Sequence, residues 1–588
     1  MSKDYVRTLL LLALCLAPSL RPPRAETGQD KGTRKIEWKL APGKTALYQF
    51  LDKAGKPIKG QEFLLLGSEL TPSGNRIAVD KVEDIPLSLV FQLPPEPFRS
   101  SAAWDHSATF FHEAAGAFGM IESFAGFGGL RPLFARGRYA VKSIQKKGDD
   151  EVAVIDGGFT FFEVRRDSVN NETRFTVTKN DLGTLATSIQ VSVPRGLLLK
   201  AGWQLKLKAQ ERIPDRGASR VADRTFTTHE ILELREEGDL DPAKVAATAA
   251  AGAKRAVEWL RKQQKPTGAW GAPRLPNAPG EAISHTGLVL RALLAAGVPA
   301  DDPALVAAAK SLQVPAPQET SALARQIAAL SLLGPAGPQE EEEIRKLANE
   351  LLRRREPRTN LWSAGGRNDS PDAISTARAL EALALAPGLR VPDEVWKSAI
   401  EFFTTATIDE EKEVELDLEF EKDATTIAAD PKKVLPVAWA VDVGGRQGGI
   451  AGLMPGGSVR RGSYFVLAAA LDGLMIAAPK LTLDEKQRQA VDSALRRGFA
   501  NLQARWTLRT VPPTEAAWCH QRIEFAGVLA PMLARAKLDR IAKSDWRLEG
   551  ATMLLRDQGD DGSWWPGTEQ SLVKTAYALQ LLSRVRAP

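Results

Sequence analysis

The string Arg255-Ala-x-x-Trp259-Leu260-x-x-x-Gln264-x-x-x-Gly268-x-Trp270 returns near the end of the chain as Gly550-x-x-Met553-Leu554-x-x-x-Gln558-x-x-x-Gly562-x-Trp564. The Leu, Gln, Gly and Trp keep one spacing in both copies. Each copy leads into a second apolar segment with helical spacing, Ser284-His-Thr-Gly-Leu-Val-Leu-Arg-Ala-Leu and Ser571-Leu-Val-Lys-Thr-Ala-Tyr-Ala-Leu. Similar starts occur between them at Ser321, Ser375 and Ser463, and more loosely at Thr514. A Ser or Thr in that place is expected to N-cap the helix it opens. Preceding helices are expected near 243–264, 302–313, 339–355, 393–405, 484–505 and 543–557. That makes six helix pairs.

One helix pair cannot bury both of its apolar faces, whereas stacked pairs can. The inner segments are rich in small residues, as in Ala468-Ala-Ala-Leu471 and Ala382-Leu-Ala-Leu-Ala386, so they can approach closely and curve. An open solenoid needs polar end caps. Here the first and last units are the best-matched copies, which favours a ring in which unit six meets unit one.

The Gln…Gly-x-Trp string resembles the repeat motif of the squalene–hopene cyclase and protein prenyltransferase β-subunit superfamily, strongly at both ends of residues 240–588 and weakly between. The resemblance implies an (α/α)6 toroid. It also implies that Gln264 and Gln558 bond to a neighbouring helix end while Trp270 and Trp564 stack on it. The stretch from Trp518 to Leu582 looks like repeat-containing exported bacterial proteins of that superfamily.

Upstream the period is near two. Trp203-Gln-Leu-Lys-Leu-Lys-Ala and Arg174-Phe-Thr-Val-Thr alternate apolar and polar residues, the pattern of an antiparallel sheet with one buried face. The expected class is therefore multi-domain: an antiparallel β domain over 26–238, then an all-α toroid over 239–588 with an insertion at about 406–460. No strand is expected after Pro242. The Phe-, Gly- and Ala-rich segment 100–137 is expected to lie across the sheet as a helix or loop, or as a flap over an apolar ligand. Asp105, His106 and His112 fall within it, a weak metal signal.

Residues 1–25 combine Lys3 and Arg7 with the uncharged run Thr8–Leu20, too short to span a bilayer comfortably and typical of a secretory signal. Export to the periplasm, cell envelope or outside is expected, with an uncleaved anchor as the alternative. The 588 residues carry a net charge of +6 with 44% hydrophobic and 26% charged residues, a globular composition. About half of that charge lies in the leader, which argues against a nucleic-acid partner. No later run is long enough to span a membrane. The two cysteines, Cys15 and Cys519, cannot build a Cys-based metal cluster.

Each chemistry known in the resembled superfamily lacks its groups. There is no DxDD acid string for a terpene cyclase, no Asp, Cys and His set for zinc, and no CGEQ-like thioester string. Neither metal nor cofactor is expected. Inner-helix N-termini suit anions or polar ligands, and the residues near them, Glu281, His285, Tyr464, Glu515, Trp518, Arg522 and Glu524, are the cavity-lining candidates. The run Asp409–Asp423, with nine acids against two lysines, reads as a solvated excursion. Gly444–Gly462 reads as a lid. The expectation is an exported, non-catalytic toroid binding an apolar or carbohydrate-like ligand or a protein partner. The alternative is a toroid-class enzyme, terpene cyclase-like or glycan-active, with an unrecognised acid.

Overall fold

The computed structural model describes residues 34–71, 74–75, 85–94, 102–110, 133–148, 150–169, 172–215, 218–271, 280–364, 371–410, 412–420, 433–439, 464–504, 506, 522–564 and 570–585. The leader, His112, Glu515, Trp518, Cys519 and the Gly-rich stretch lie outside them, as do the side chains of Tyr464 and Arg522.

The first half is one antiparallel sheet. Its strands are β1 (Lys44–Leu51), β2 (Pro57–Leu66), β5 (Ala103–Phe110), β6 (Leu133–Lys147), β7 (Asp150–Val169), β8 (Glu172–Ser192), β9 (Leu197–Asp215) and β10 (Ala218–Asp239), in the order β2-β1-β10-β9-β8-β7-β6-β5. A small hairpin of β3 (Leu70–Thr71) and β4 (Gly74–Asn75) stands apart. Along β9, Ala201, Trp203, Leu205 and Leu207 are buried while Gln204 and Lys206 are exposed, the alternation that a one-sided sheet requires. Helix α1 (Ile85–Val90) is part of the same buried core. The Tyr139 hydroxyl donates to the carbonyl of Leu89 at 2.5 Å, and the Trp38 indole to that of Phe91 at 3.0 Å.

Segment 100–137 is corrected in part. Ala103–Phe110 is the edge strand and Leu133–Gly137 opens β6, so both ends of the expected helix or loop are paired strand. Residues 111–132 lie outside the described set. Asp105 and His106 belong to that edge strand, and no metal-holding cluster of His, Cys, Asp or Glu occurs among the described residues.

Among the described residues, twelve α-helices follow. The outer ones are α2 (Pro242–Gln263), α4 (Pro303–Leu312), α6 (Pro338–Arg353), α8 (Asp393–Thr405), α10 (Glu485–Ala504) and α12 (Trp546–Arg556). The inner ones are α3 (Gly280–Ala295), α5 (Thr320–Leu333), α7 (Ala373–Leu385), α9 (Tyr464–Ala477), α11 (Arg522–Arg535) and α13 (Ser571–Leu582). Asp241-Pro242 and Asp302-Pro303 start α2 and α4, the Asp accepting first-turn N–H groups and the Pro supplying a pre-set φ. Each inner helix packs on the next, and α13 packs back on α3.

Gln264 donates to the carbonyls of Gly268 and of Ala304, at the start of the next outer helix. Gln558 donates to Gly562 and to Gly252 of the first outer helix. The motif glycine has a physical reason. Gly268 and Gly562 sit at φ +85° and +91°, and a Cβ would come within 2.2 Å of the Ala307 carbonyl oxygen or 2.6 Å of that of Arg255. The indoles of Trp270 and Trp564 donate to the carbonyls of Leu260 and Leu554, both at 2.7 Å, capping the last turn of their own outer helix.

The same device recurs where the sequence match is weak. Trp362 caps Leu351 at 2.8 Å and Trp439 caps Phe403 at 2.7 Å. Three of these tryptophans also donate their backbone N–H to a threonine of the following inner helix: Trp270 to Thr286, Trp362 to Thr376 and Trp564 to Thr575.

Two expectations change. Ser284, Ser321, Ser375 and Ser571 lie inside their helices rather than at the N-cap: Glu319, Asp372 and Gln570 occupy the capping positions of α5, α7 and α13, and only Asp372 bonds through its side chain, while Ser463 and Thr514 lie outside the described residues. Ser284 and Ser321 instead accept arginines from the next inner helix. Short strands do occur after Pro242. These are β11 (Thr407–Asp409), β12 (Val414–Glu415), β13 (Leu418–Phe420), β14 (Lys433–Val434), β15 (Val437–Trp439), β16 (Leu538–Ile541) and β17 (Ser544–Asp545). The described part of the acidic run has no buried residue, in keeping with a solvated excursion, and it is also tied to α10. Asp409 pairs with Arg497 at 2.5 Å, Glu410 accepts from Asn501, and Gln503 bonds the backbone of Glu415 and Asp417, all on α10.

The sheet meets the last outer helix directly. Arg556 of α12 bonds the carbonyl of Leu64, lies 3.6 Å from the fully buried Glu69 and stacks over Phe63, while Glu549 accepts the N–H of Gly43 at 3.1 Å.

Candidate functional site

The six inner helices surround a cavity of about 120 Å³. Most of its wall is apolar, from Leu288, Ala324, Ile374, Ala377, Phe465, Ala468, Ala469, Gly527, Val528 and Pro531. Set into that wall are Arg291, Arg325, Arg378, Glu381, Asp472, Tyr577 and Gln580.

On five helices the lining residues come in pairs three apart: Leu288 and Arg291, Arg378 and Glu381, Ala469 and Asp472, Val528 and Pro531, Tyr577 and Gln580. Three residues advance a helix by about 4.5 Å, so the lining forms two tiers. The lower tier, toward the inner-helix C-termini, is a network of ion pairs. Arg291 of α3 forks onto Glu381 of α7 with contacts of 2.9 and 2.7 Å. Arg535 of α11 bonds Asp472 of α9 at 2.8 Å and reaches Glu381 at 3.6 Å. The Arg291–Glu381 and Arg535–Glu381 contacts join inner helices that do not follow one another in the packing order, so they span the cavity between the helices and form a floor.

In the upper tier Arg325 of α5 donates to Ser284 of α3 at 2.6 Å and to the Tyr577 hydroxyl of α13 at 2.9 Å. Arg378 of α7 donates to Ser321 of α5 at 3.0 Å.

The electrostatics follow from burial against pairing. Burial pushes the Glu381 carboxyl up, but Arg291, Arg535 and Arg378 outweigh it and hold the group below its ordinary value. Asp472 goes the other way. Burial raises it, Arg535 opposes, and the nearby Glu381 charge adds to the rise. Burial pulls Arg325 down to about 10, with Arg378 and Arg291 adding to that effect and Tyr577 opposing it.

The sequence candidates lie elsewhere. Glu281 is in the first turn of α3. His285 stands against the loop after Trp270, where a Cβ on Gly271 would meet its Nδ1 at 2.6 Å. Glu524, half-buried, is in the first turn of α11. None of these three is among the residues lining the cavity. Tyr464 and Arg522 open α9 and α11, and their side chains, with Glu515 and Trp518, fall outside the described residues. Sequence reasoning missed the deeper set. Its signal was a lone charge inside an otherwise apolar helix: Arg291 in Gly-Leu-Val-Leu-Arg-Ala-Leu-Leu and Asp472 in Ala-Ala-Ala-Leu-Asp-Gly-Leu.

No family model matches the sequence, and no curated protein matches it. Solved structures similar to the chain include the type II terpene cyclase MstE from Scytonema. The apo form of a single-substitution variant of it has a TM-score of 0.32 and 12% identity, covering 58% of this chain and 97% of that one. A second variant, in complex with its substrate geranylgeranyl dihydroxybenzoate, has a TM-score of 0.33, 11% identity and coverages of 58% and 98%. A family 76 glycoside hydrolase from a bovine Bacteroides thetaiotaomicron strain has a TM-score of 0.35 and 10% identity, covering 76% and 95%. Both kinds of protein are α/α-toroid-like. These are remote likenesses, and the chemistry of the cavity has to be read from its own residues.

Proposed function

We propose that residues 239–588 are an (α/α)6 toroid serving as a non-catalytic binding cup, exported behind the 1–25 leader, whose ligand is a small polar molecule seated above the ion-pair floor. The observation that carries this reading is the cavity itself: about 120 Å³, closed below by Arg291, Glu381, Arg535 and Asp472, and open to hydrogen bonding above. Ligand pockets for drug-sized molecules run to about 300–1,000 Å³, so a long polyprene does not fit this space. A purely apolar ligand would strand the buried donors. The carboxylates are committed to guanidiniums, which supports binding over catalysis.

Native mass spectrometry of the full chain tests the reading. A small-molecule adduct, or thermal stabilisation by a member of a polar metabolite panel, is expected in the wild type and absent in Ala469→Phe, which fills the cavity. Identical behaviour of the two proteins would sink it.

The enzyme reading has one observation in its favour. Glu381 and Asp472 share Arg535, yet their environments push them apart, as in acid–base pairs. Turnover of a glycan or polyprene that vanishes in Asp472→Asn would establish it over the binding cup.

A further inference from the structure

The floor is balanced in charge, with Arg291 and Arg535 against Glu381 and Asp472. The tier above it is not. Among the described residues, Arg325 bonds two hydroxyls and Arg378 one, and neither lies within ion-pair distance of a carboxylate. A guanidinium has five N–H donors, so most of these donors have no acceptor in the described wall. Burial already pulls the Arg325 cation down to about 10, and Arg378 and Arg291 repel it further. Tyr577 accepts from Arg325, which leaves its own O–H proton to give. The wall around this tier is apolar, with Leu288, Ile374, Phe465 and Val528.

We propose that the upper tier binds a small monocarboxylate with an apolar body no larger than a benzene ring, its carboxylate forked between Arg325 and Arg378 and accepting a hydrogen bond from the Tyr577 hydroxyl. This rests on the binding-cup reading and names its ligand class. Planar fork geometry suits a carboxylate held by guanidinium donors. Volume sets an upper bound on size: an apolar cavity of roughly 150 Å³ holds benzene, and this one is about 120 Å³, so the body is no larger than a benzene ring. A single negative charge follows from Glu381, one helical turn below Arg378 on α7, whose carboxylate already feels Arg378 and repels a second anionic charge.

Calorimetric titration of the full chain with sodium benzoate tests the proposal, with benzamide, phenyl phosphate and inorganic phosphate as parallel arms. Benzoate should bind one to one and benzamide at least about tenfold more weakly. Arg325→Gln should weaken benzoate about tenfold, Arg378→Lys and Tyr577→Phe by smaller factors. Circular dichroism establishes that each variant folds. If Arg325→Gln does not, the milder Arg378→Lys and Tyr577→Phe decide. Equal binding of benzamide would overturn the anion assignment and leave the binding cup standing. Preference for either phosphate would overturn the single charge. Benzoate affinity unchanged in the variants, or no benzoate binding at all, would refute the site. The adduct contrast between wild type and Ala469→Phe reports separately on the cup.

Discussion

The side-chain amide of Gln558 donates to the carbonyl of Gly252 at 2.9 Å, across 306 residues of sequence. It joins the last outer helix connection to the middle of the first outer helix. Arg255 returns the contact, donating to the Gln558 Oε1 at 2.5 Å, and Trp259 bonds Asp561. Gly252 has a reason to be glycine here, since a Cβ would meet Leu555 Cδ2 at 2.4 Å and Gln558 Oε1 at 3.0 Å.

Gln558→Ala is therefore expected to lower stability by about 1–2 kcal/mol, because the Gly252 and Gly562 carbonyls lose their donor. Gln264→Ala, which releases two carbonyls in the same way, should cost a similar amount. Urea denaturation of the two variants checks this. A Gln558→Ala protein as stable as wild type would mean that the seam between units six and one contributes nothing.

Trp362 is a second place to measure the repeat. It is 1% exposed and caps α6 through its indole N–H. Trp362→Phe keeps the ring but removes that donor, and a loss of about 1–3 kcal/mol is expected. The contrast with Trp270→Phe in the same assay is informative. Comparable losses would establish that units one and three use the tryptophan equivalently, despite the missing Gln in unit three.

Glu381 anchors the floor, and its removal should be costly. Glu381→Gln leaves Arg291 and Arg535 facing each other without their shared anion, a change worth roughly 3–5 kcal/mol when a buried pair is broken. The side chains keep 15–20% exposure, so the lower end is expected. Replacing both partners, Arg291→Met with Glu381→Leu, should recover much of that loss, since an apolar pair carries no desolvation cost. Thermal denaturation of the single and double variants decides, and an additive double variant would contradict the coupling.

How much of this was legible follows from particular residues. Three of the outer helices begin where Asp241-Pro242, Asp302-Pro303 and Asp545 cap them, so their starts stand in the sequence to within a few residues. The two- and three-residue strands of the 406–439 region do not, because their pairing, such as Leu418 with Ile541, is set by tertiary contact rather than by periodicity. Serine at an inner-helix start carries two meanings. A cap and a cavity acceptor look alike in one dimension, and Ser284 and Ser321 turned out to serve arginines. The charged lining was present as isolated charges in apolar helices. That Arg291 and Glu381, 90 residues apart, meet across the cavity is a property of tertiary packing, which no local spacing encodes.

The pH response of the floor separates its two acids. Glu381 is depressed in the folded state, so the stability it contributes is fully present above its unfolded-state value and is lost as pH falls through the lower folded value. Asp472 is raised, so its sign is opposite: ionising it opposes folding above the folded value, and protonating it favours folding below. As pH falls from neutral, Asp472 should first add stability, and Glu381 should then remove it at lower pH. Chemical denaturation across pH 3–8 for wild type and Asp472→Asn measures this, with carboxyl-labelled NMR assigning the two titrations. The variant should lose the early gain and keep the later fall. A wild-type profile in which both acids titrate together, at the ordinary carboxyl value, would mean that Arg535 does not distinguish the groups it bridges.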